Sequence, residues 1–232
     1  MWYTAYISRS GGTVYAIASK AVVLWTCGFE SHLRHTMHPS LQKMNKGKLA
    51  YVIGLAIGDG NLSNPNGRAT RLRISCDSRY PHLIDNIIDA LREIFPNNKV
   101  NTITRPSNCI DVSVYSNKLE SLLGWKANLG PKFKQSVSVP TWILKENYLI
   151  KHCLRGLFET DGSIYNDRGY IMVNFVTTIP ALAKNVMDMI NKINFTANYY
   201  EINRKPPYKT RYNIRISKNA ELFIKTIQIN KS

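Results

Sequence analysis

Acidic side chains are scarce in this 232-residue chain: 15 Asp+Glu stand against 31 Lys+Arg, which leaves a net charge of +16. A surplus of that size has no use in an enzyme of small neutral metabolites and points to nucleic acid or an acidic surface as the partner. Long apolar runs are also missing. No stretch nears the roughly 20 residues that a bilayer span needs, so a membrane-crossing helix is excluded. Cysteine is sparse. Cys27, Cys76, Cys109 and Cys153 form no C-x-x-C pair, so neither a zinc knuckle nor a disulfide framework is indicated. A reducing compartment, the cytoplasm or an organelle matrix, is expected rather than secretion. What is plentiful is apolar material: 44% hydrophobic residues suffice for a buried core in one mid-sized domain or two small ones.

Residues 1–36 differ in character from the rest. Tyr15 to Cys27 is mildly apolar but broken by Lys20, with no basic stretch before it and no small-residue cleavage site after it, so a signal peptide does not fit. Cys27, His32, His35 and His38 match the spacing of no zinc module. The codons of Gly28-Phe29-Glu30-Ser31 are compatible with the T-arm of a tRNA gene, and Met37 and Met44 offer later starts. Two readings stand: a tRNA gene read in frame, or an ordinary extension packed on the body. Either way residues 1–45 are expected to be an amino-terminal extension outside the repeated fold.

The body of the chain is a duplication. Val52-Ile53-Gly54-Leu55-Ala56-Ile57-Gly58-Asp59-Gly60 returns 102 residues later as Leu154-Arg155-Gly156-Leu157-Phe158-Glu159-Thr160-Asp161-Gly162. After each copy comes a short loop and then a strand-like stretch, Arg71–Cys76 and Tyr170–Val176. Helical patterns follow, with Leu83, Ile84, Ile87, Ile88, Leu91 and Ile94 in one half and Leu182, Val186, Met189, Ile190 and Ile193 in the other. Pro81 and Pro180 sit near the helix starts, where proline is tolerated. Two further strands per half are predicted at Lys99–Thr104 and Ile110–Tyr115, and at Thr196–Ile202 and Arg211–Ser217. Closing helices are predicted at Asn117–Leu123 and Asn219–Ile229, and Lys126 to Pro140 reads as the connector.

Read as helices, the motifs place Gly54 and Gly58 on one face, matched by Gly156 and Thr160. Small residues at that spacing let two backbones approach, which offsets the roughly 0.8–1 kcal/mol that a helical glycine costs against alanine. Each helix ends in Asp-Gly, with Gly expected as an ordinary helix stop. An acid is disfavoured at the negative end of a helix dipole. Packing the two helices together brings Asp59 and Asp161 close, an arrangement that calls for a bridging cation, with carbonyls of the last turn as further oxygen ligands.

These paired nonapeptides resemble those of the LAGLIDADG homing endonucleases of the single-chain, two-motif type, and the resemblance runs from about Lys46 to Ile229. It implies an α+β fold of two pseudo-symmetric αββαββα repeats, residues 46–139 and 140–232, joined through paired motif helices. Each repeat would offer a saddle-shaped antiparallel sheet to a DNA major groove. It also implies Mg²⁺, or another divalent cation such as Mn²⁺, held by Asp59 and Asp161 with the carbonyls of Gly58 and Thr160, for hydrolysis of both strands of a long asymmetric site by a monomer. Many members carry Gln or Lys at the end of the first strand, where this chain has Cys76 and Asp77, and Thr177 and Thr178, so those roles are not carried over. For a second basic position the candidates are Lys132 and Lys134, with Lys218 in the second half.

Strand alternation supplies a polar face. Arg71, Arg73 and Ser75 alternate with Leu72, Ile74 and Cys76, and Arg211, Asn213 and Arg215 with Tyr212, Ile214 and Ile216. Arg and Asn bond bidentately to guanine and adenine edges, and Arg68 stands in a loop suited to phosphate. A binder of intron RNA (a maturase) or a non-cleaving nucleic-acid-binding protein on the same fold is the alternative, because fold alone does not fix function.

Overall fold

The computed structural model describes residues 44–231. The readings made for residues 1–43, including Cys27 and the three histidines, lie outside the described residues. The unit that begins at Asn45 holds two copies of one arrangement. In the first, helix α1 (Lys46–Gly58) is followed by β1 (Gly60–Ser63), β2 (Arg71–Asp77), α2 (Pro81–Ile94), β3 (Val100–Arg105), β4 (Cys109–Tyr115) and α3 (Leu119–Leu123). After the connector and a 3₁₀ turn at Ile143–Lys145 come α4 (Asn147–Thr160), β5 (Gly162–Asp167), β6 (Tyr170–Thr177), α5 (Pro180–Lys192), β7 (Ala197–Ile202), β8 (Arg211–Ile216) and α6 (Ala220–Ile227). Each copy builds a four-stranded antiparallel sheet, ordered β1-β2-β4-β3 and β5-β6-β8-β7.

Helix α1 starts where the Asn45 side chain accepts the Lys48 amide at 3.1 Å, a cap for one of the orphan donors of the first turn. It has no polar face: every residue from Leu49 to Ile57 is buried. That suits a helix covered on one side by α4 and on the other by its own repeat. Leu72, Ile74, Val112 and Val114 of the first sheet are fully buried, as are Ile87 and Leu91 of α2. Val173, Phe175 and Ile214 play the same part in the second sheet, where Phe158 of α4 packs on Phe175 and Phe223 at ring distances of 5.6 and 5.2 Å.

Two local readings change. The segments after each Asp-Gly, read from their residues as loops, hold β1 and β5, the first strand of each αββαββα repeat. Gly-Asn-Leu-Ser has little strand propensity of its own. It is held by pairing, Gly60 opposite Ile74 and Ser63 opposite Arg71. The glycines after the acids are also not left-handed helix stops, since neither Gly60 nor Gly162 has positive φ. They are needed for close approach. A Cβ on Gly60 would lie 2.4 Å from the Ala56 carbonyl oxygen, and one on Gly162 would lie 2.4 Å from that of Phe158.

Candidate active site

The two motif helices touch through bare backbone. A Cβ on Gly54 would meet the Cys153 carbonyl oxygen at 2.3 Å, and one on Gly156 would meet that of Tyr51 at 2.4 Å. This contact runs the carboxyl ends of α1 and α4 to the same place, where Asp59 and Asp161 are the C-caps. Asp161, Gly58 and Lys132 line an open cavity of about 560 Å³, with Thr177 and Thr178 on its wall.

Two lysines share this end of the molecule. Lys132 of the connector donates from Nζ to the carbonyls of Ile57 (2.5 Å) and Gly58. Lys231 donates from Nζ to the carbonyls of Thr160 (3.3 Å) and Gly162 (2.6 Å). Each ammonium thus sits on the negative end of one motif helix, where the dipole favours a cation. Burial raises the Asp59 carboxyl above its ordinary range, and both lysines oppose that rise. Asp161 is pushed up to about 6 by burial and by the Asp59 charge, again against both lysines. Both ammoniums are in turn lowered by desolvation and partly restored by the two acids. The acids keep solvent-accessible surface, so these effects are screened. Even so, two ammoniums do not bring the carboxyls back to their usual values.

Lys231 escaped the sequence reading. The duplication could have shown it: Lys132 follows Asp59 by 73 residues (132 − 59), and Lys231 follows Asp161 by 70 (231 − 161). Its position is fixed by buried Glu159, which accepts hydrogen bonds from Tyr51 Oη (2.5 Å), Arg155 Nε (2.8 Å) and the Asn230 amide (2.9 Å). That group ties α1, α4 and the segment bearing Lys231 together. Of the other basic candidates, Lys134 is exposed and acts on neither acid, and Lys218 lines a separate cavity beside β8 with Tyr170 and Leu222. Cys76 is buried near Asp59, and its thiol is pushed up to about 12 mainly by desolvation. It therefore stays protonated.

Comparison with known proteins bears on the fold that carries this site. Residues 149–228 match the model of the LAGLIDADG-like domain, and residues 48–113 match that of the WhiA LAGLIDADG-like domain. The chain belongs to the LAGLIDADG family. Helices α1 and α4 are its two LAGLIDADG helices. Among solved structures, I-DmoI in complex with DNA and Mn is similar at 18% identity over 78% of this chain and 96% of that one, with a TM-score of 0.59. The N-terminal LAGLIDADG domain of DUF199/WhiA is similar at 15% identity over 80% and 84%, with a TM-score of 0.53. Full-length DUF199/WhiA from Thermatoga maritima gives 15% over 80% and 56%, with a TM-score of 0.54. At these identities the likeness is one of fold. No curated protein matches the chain.

In this LAGLIDADG protein the sheets turn their polar faces away from the helices. Arg71, Arg73 and Ser75 lie half-buried on β2, and Arg71 donates to Ser63 Oγ at 3.2 Å. Arg211, Asn213 and Arg215 share the corresponding face of β8. Arg68 is exposed between β1 and β2. Arg73 and Ser75 are not free side chains, because Asp111 of β4 holds both: Ser75 Oγ donates to it at 2.6 Å and Arg73 Nη1 lies 4.0 Å away.

The raised Asp161 carboxyl has a consequence for stability. Its folded value of about 6 lies above its ordinary 3.8, so the folded state holds the proton more tightly. Its contribution is largest below the unfolded value and is lost as pH rises through the folded one. Asp161→Asn is therefore expected to raise the melting temperature in chelator at neutral pH, by a gain of about 1 kcal/mol after solvent screening. The gain should vanish in acid. Thermal melts across pH test this, and a difference independent of pH would place the titration elsewhere.

Proposed function

We propose that this chain is a site-specific, divalent-metal-dependent endonuclease that cuts both strands of duplex DNA. One observation carries the reading: two carboxyls from different repeats converge at the negative ends of two packed helices and keep raised proton affinity despite two neighbouring lysines. The donors there are carboxylate and main-chain oxygens, which suit Mg²⁺ or Mn²⁺. No third His, Cys, Asp or Glu joins them in a metal-binding cluster among the described residues, which leaves room for phosphate and water oxygens. When bound, a divalent cation would polarise the scissile phosphate and lower the pKa of the attacking water.

The chain's own groups have distinct parts. Asp59 and Asp161 would hold the cation, one acid per repeat, so that each strand has its own carboxylate. Lys132 and Lys231, fixed on the last carbonyls of the helices, would present positive charge to the phosphates and to the leaving oxygen. The two sheets would grip the duplex on either side and set the register of the cut. A pure binder would need neither acid.

A second reading, a non-cleaving nucleic-acid-binding protein, is favoured by one feature. The carbonyls of Gly58 and Thr160 accept from lysine ammoniums, which take positions that a metal would use. Incubating the protein with a randomised duplex library, with Mg²⁺ or with chelator, separates the two. Sequence-specific double-strand breaks only with Mg²⁺ are expected, and binding with no cleavage in any divalent metal would select the second reading.

A further inference from the structure

The outward faces of the two sheets differ in chemistry. In the first, β2, β4 and β3 are in register with Arg73 opposite Ser113, Ser75 opposite Asp111 and Arg105 opposite Cys109. Asp111 lies at the centre and is only 2% exposed. It accepts from Arg105 Nε at 2.5 Å as well as from Ser75. Burial opposes its charge, but Ser75 and the two guanidiniums hold its carboxyl below the usual range. An ionised acid so enclosed fixes two arginines on one face. Arg73 Nε is buried there with no hydrogen-bond partner.

In the second sheet the positions of Arg73, Ser75, Asp111 and Arg105 carry Asn174, Val176, Asn213 and Ile202, while Arg215 and Arg211 replace Ser113 and Cys109. The first face has one exposed aliphatic of its own, Ile103 opposite Asp111. Asn174 stands opposite Arg215, Val176 opposite Asn213, and Ile202 opposite Arg211. Asn174 is 7% exposed, whereas Val176 and Ile202 are open to solvent. Asn174 gives its Nδ2 to Tyr165 Oη at 3.0 Å. Its Oδ1 is buried without a partner, and so is the Oδ1 of Asn213. Arg215 is drawn aside to Tyr200, donating to its hydroxyl at 3.3 Å.

Buried polar atoms without partners are rare and call for an explanation. Three of the four such side-chain atoms among the described residues lie on these two faces. The first face leaves a donor unsatisfied and the second leaves acceptors. A donor held on an arginine fits guanine, which shows only acceptors in the major groove. An amide carbonyl fits an exocyclic amino group, and the aliphatic neighbours fit the thymine methyl beside an adenine.

We propose that the target duplex is chemically asymmetric, with Arg73 and Arg105 reading guanine in the half under the first sheet. The half under the second sheet is A·T-rich, with Asn174 and Asn213 reading adenine and Val176 and Ile202 touching thymine methyls. This rests on the DNA-binding reading given above. The test is selection of bound duplexes from a randomised library by the full chain in chelator, followed by sequencing. G·C enrichment on one side and A·T enrichment on the other are expected. Arg105→Ala should flatten only the first preference and Asn213→Ala only the second, each by about tenfold at one position. Equal composition on both sides would overturn the asymmetry while leaving DNA binding intact. An A·T preference untouched by Asn213→Ala would overturn the assignment of readers. If Asn213→Ala does not fold, the wild-type enrichment still decides. A chain that enriches no duplex at all would remove the DNA-binding reading, and this inference with it.

Discussion

Asp59→Asn and Asp161→Asn should each abolish double-strand cleavage, by about 10³-fold or more, while leaving duplex affinity unchanged or improved. The rate loss is the size expected when a group that stabilises developing charge on phosphate is removed. Asparagine keeps the shape and one oxygen, but it cannot supply the negative charge that holds a hard cation. Binding should survive because most of the basic surface proposed to meet the phosphates lies on the sheets, away from the acids, and Lys132 and Lys231 keep their carbonyl partners beside them. Removing an acid from that field lessens repulsion of the backbone. Cleavage on denaturing gels beside gel-shift affinity measures both quantities. Full cleavage by either variant would reject the metal-site assignment, and loss of binding in step with cleavage would point to misfolding.

What could be read from the sequence was what repeats or alternates. Asp59 and Asp161 stood out because one Asp-Gly means little, whereas two in the same apolar frame and followed by the same element order mean much. The long strands were legible because Leu72 and Ile74 or Ile214 and Ile216 alternate with polar neighbours, and the structure moves none of their ends by more than one residue. The short strands β1 and β5 were not, because their Gly, Asn and Ser residues are extended only by virtue of their partners. Lys231 was missed for a different reason, although its offset from Asp161 is close to that of Lys132 from Asp59. It belongs to no periodic element, and its role depends on how buried Glu159 anchors Asn230. Asp111 shows the limit of alternation as a signal. The pattern assigns it to a face, but not to the two arginines it clamps, since Arg73 and Arg105 lie on different strands. The two repeats also match different LAGLIDADG models.

The helix pair is where a single methyl group should do the most damage to stability. In an isolated helix Gly156→Ala would gain about 1 kcal/mol in propensity. Here the added Cβ would lie 2.4 Å from the Tyr51 carbonyl oxygen, 2.7 Å from the Leu55 amide nitrogen and 3.0 Å from the Gly54 carbonyl carbon. All three are backbone atoms of α1, so no rotamer change relieves the clash. The helices must separate along a seam that is buried on every side, and Tyr51, whose hydroxyl donates to Glu159 across it, would be drawn from its partner. Overpacking of this kind costs about 1–3 kcal/mol, and more where the neighbour cannot yield. A net loss of about 3 kcal/mol would lower the melting temperature by roughly 6–12 °C in a unit of this size. Gly54→Ala meets the Cys153 carbonyl oxygen at 2.3 Å from the other side and should behave alike. Because both substitutions open the same seam, the double variant should lose less than the sum of the two. Denaturant titrations of the three variants measure this. A midpoint for Gly156→Ala that equals or exceeds that of the parent would show that the two motif helices have slack between them, and that the placement of Asp59 beside Asp161 does not depend on backbone contact.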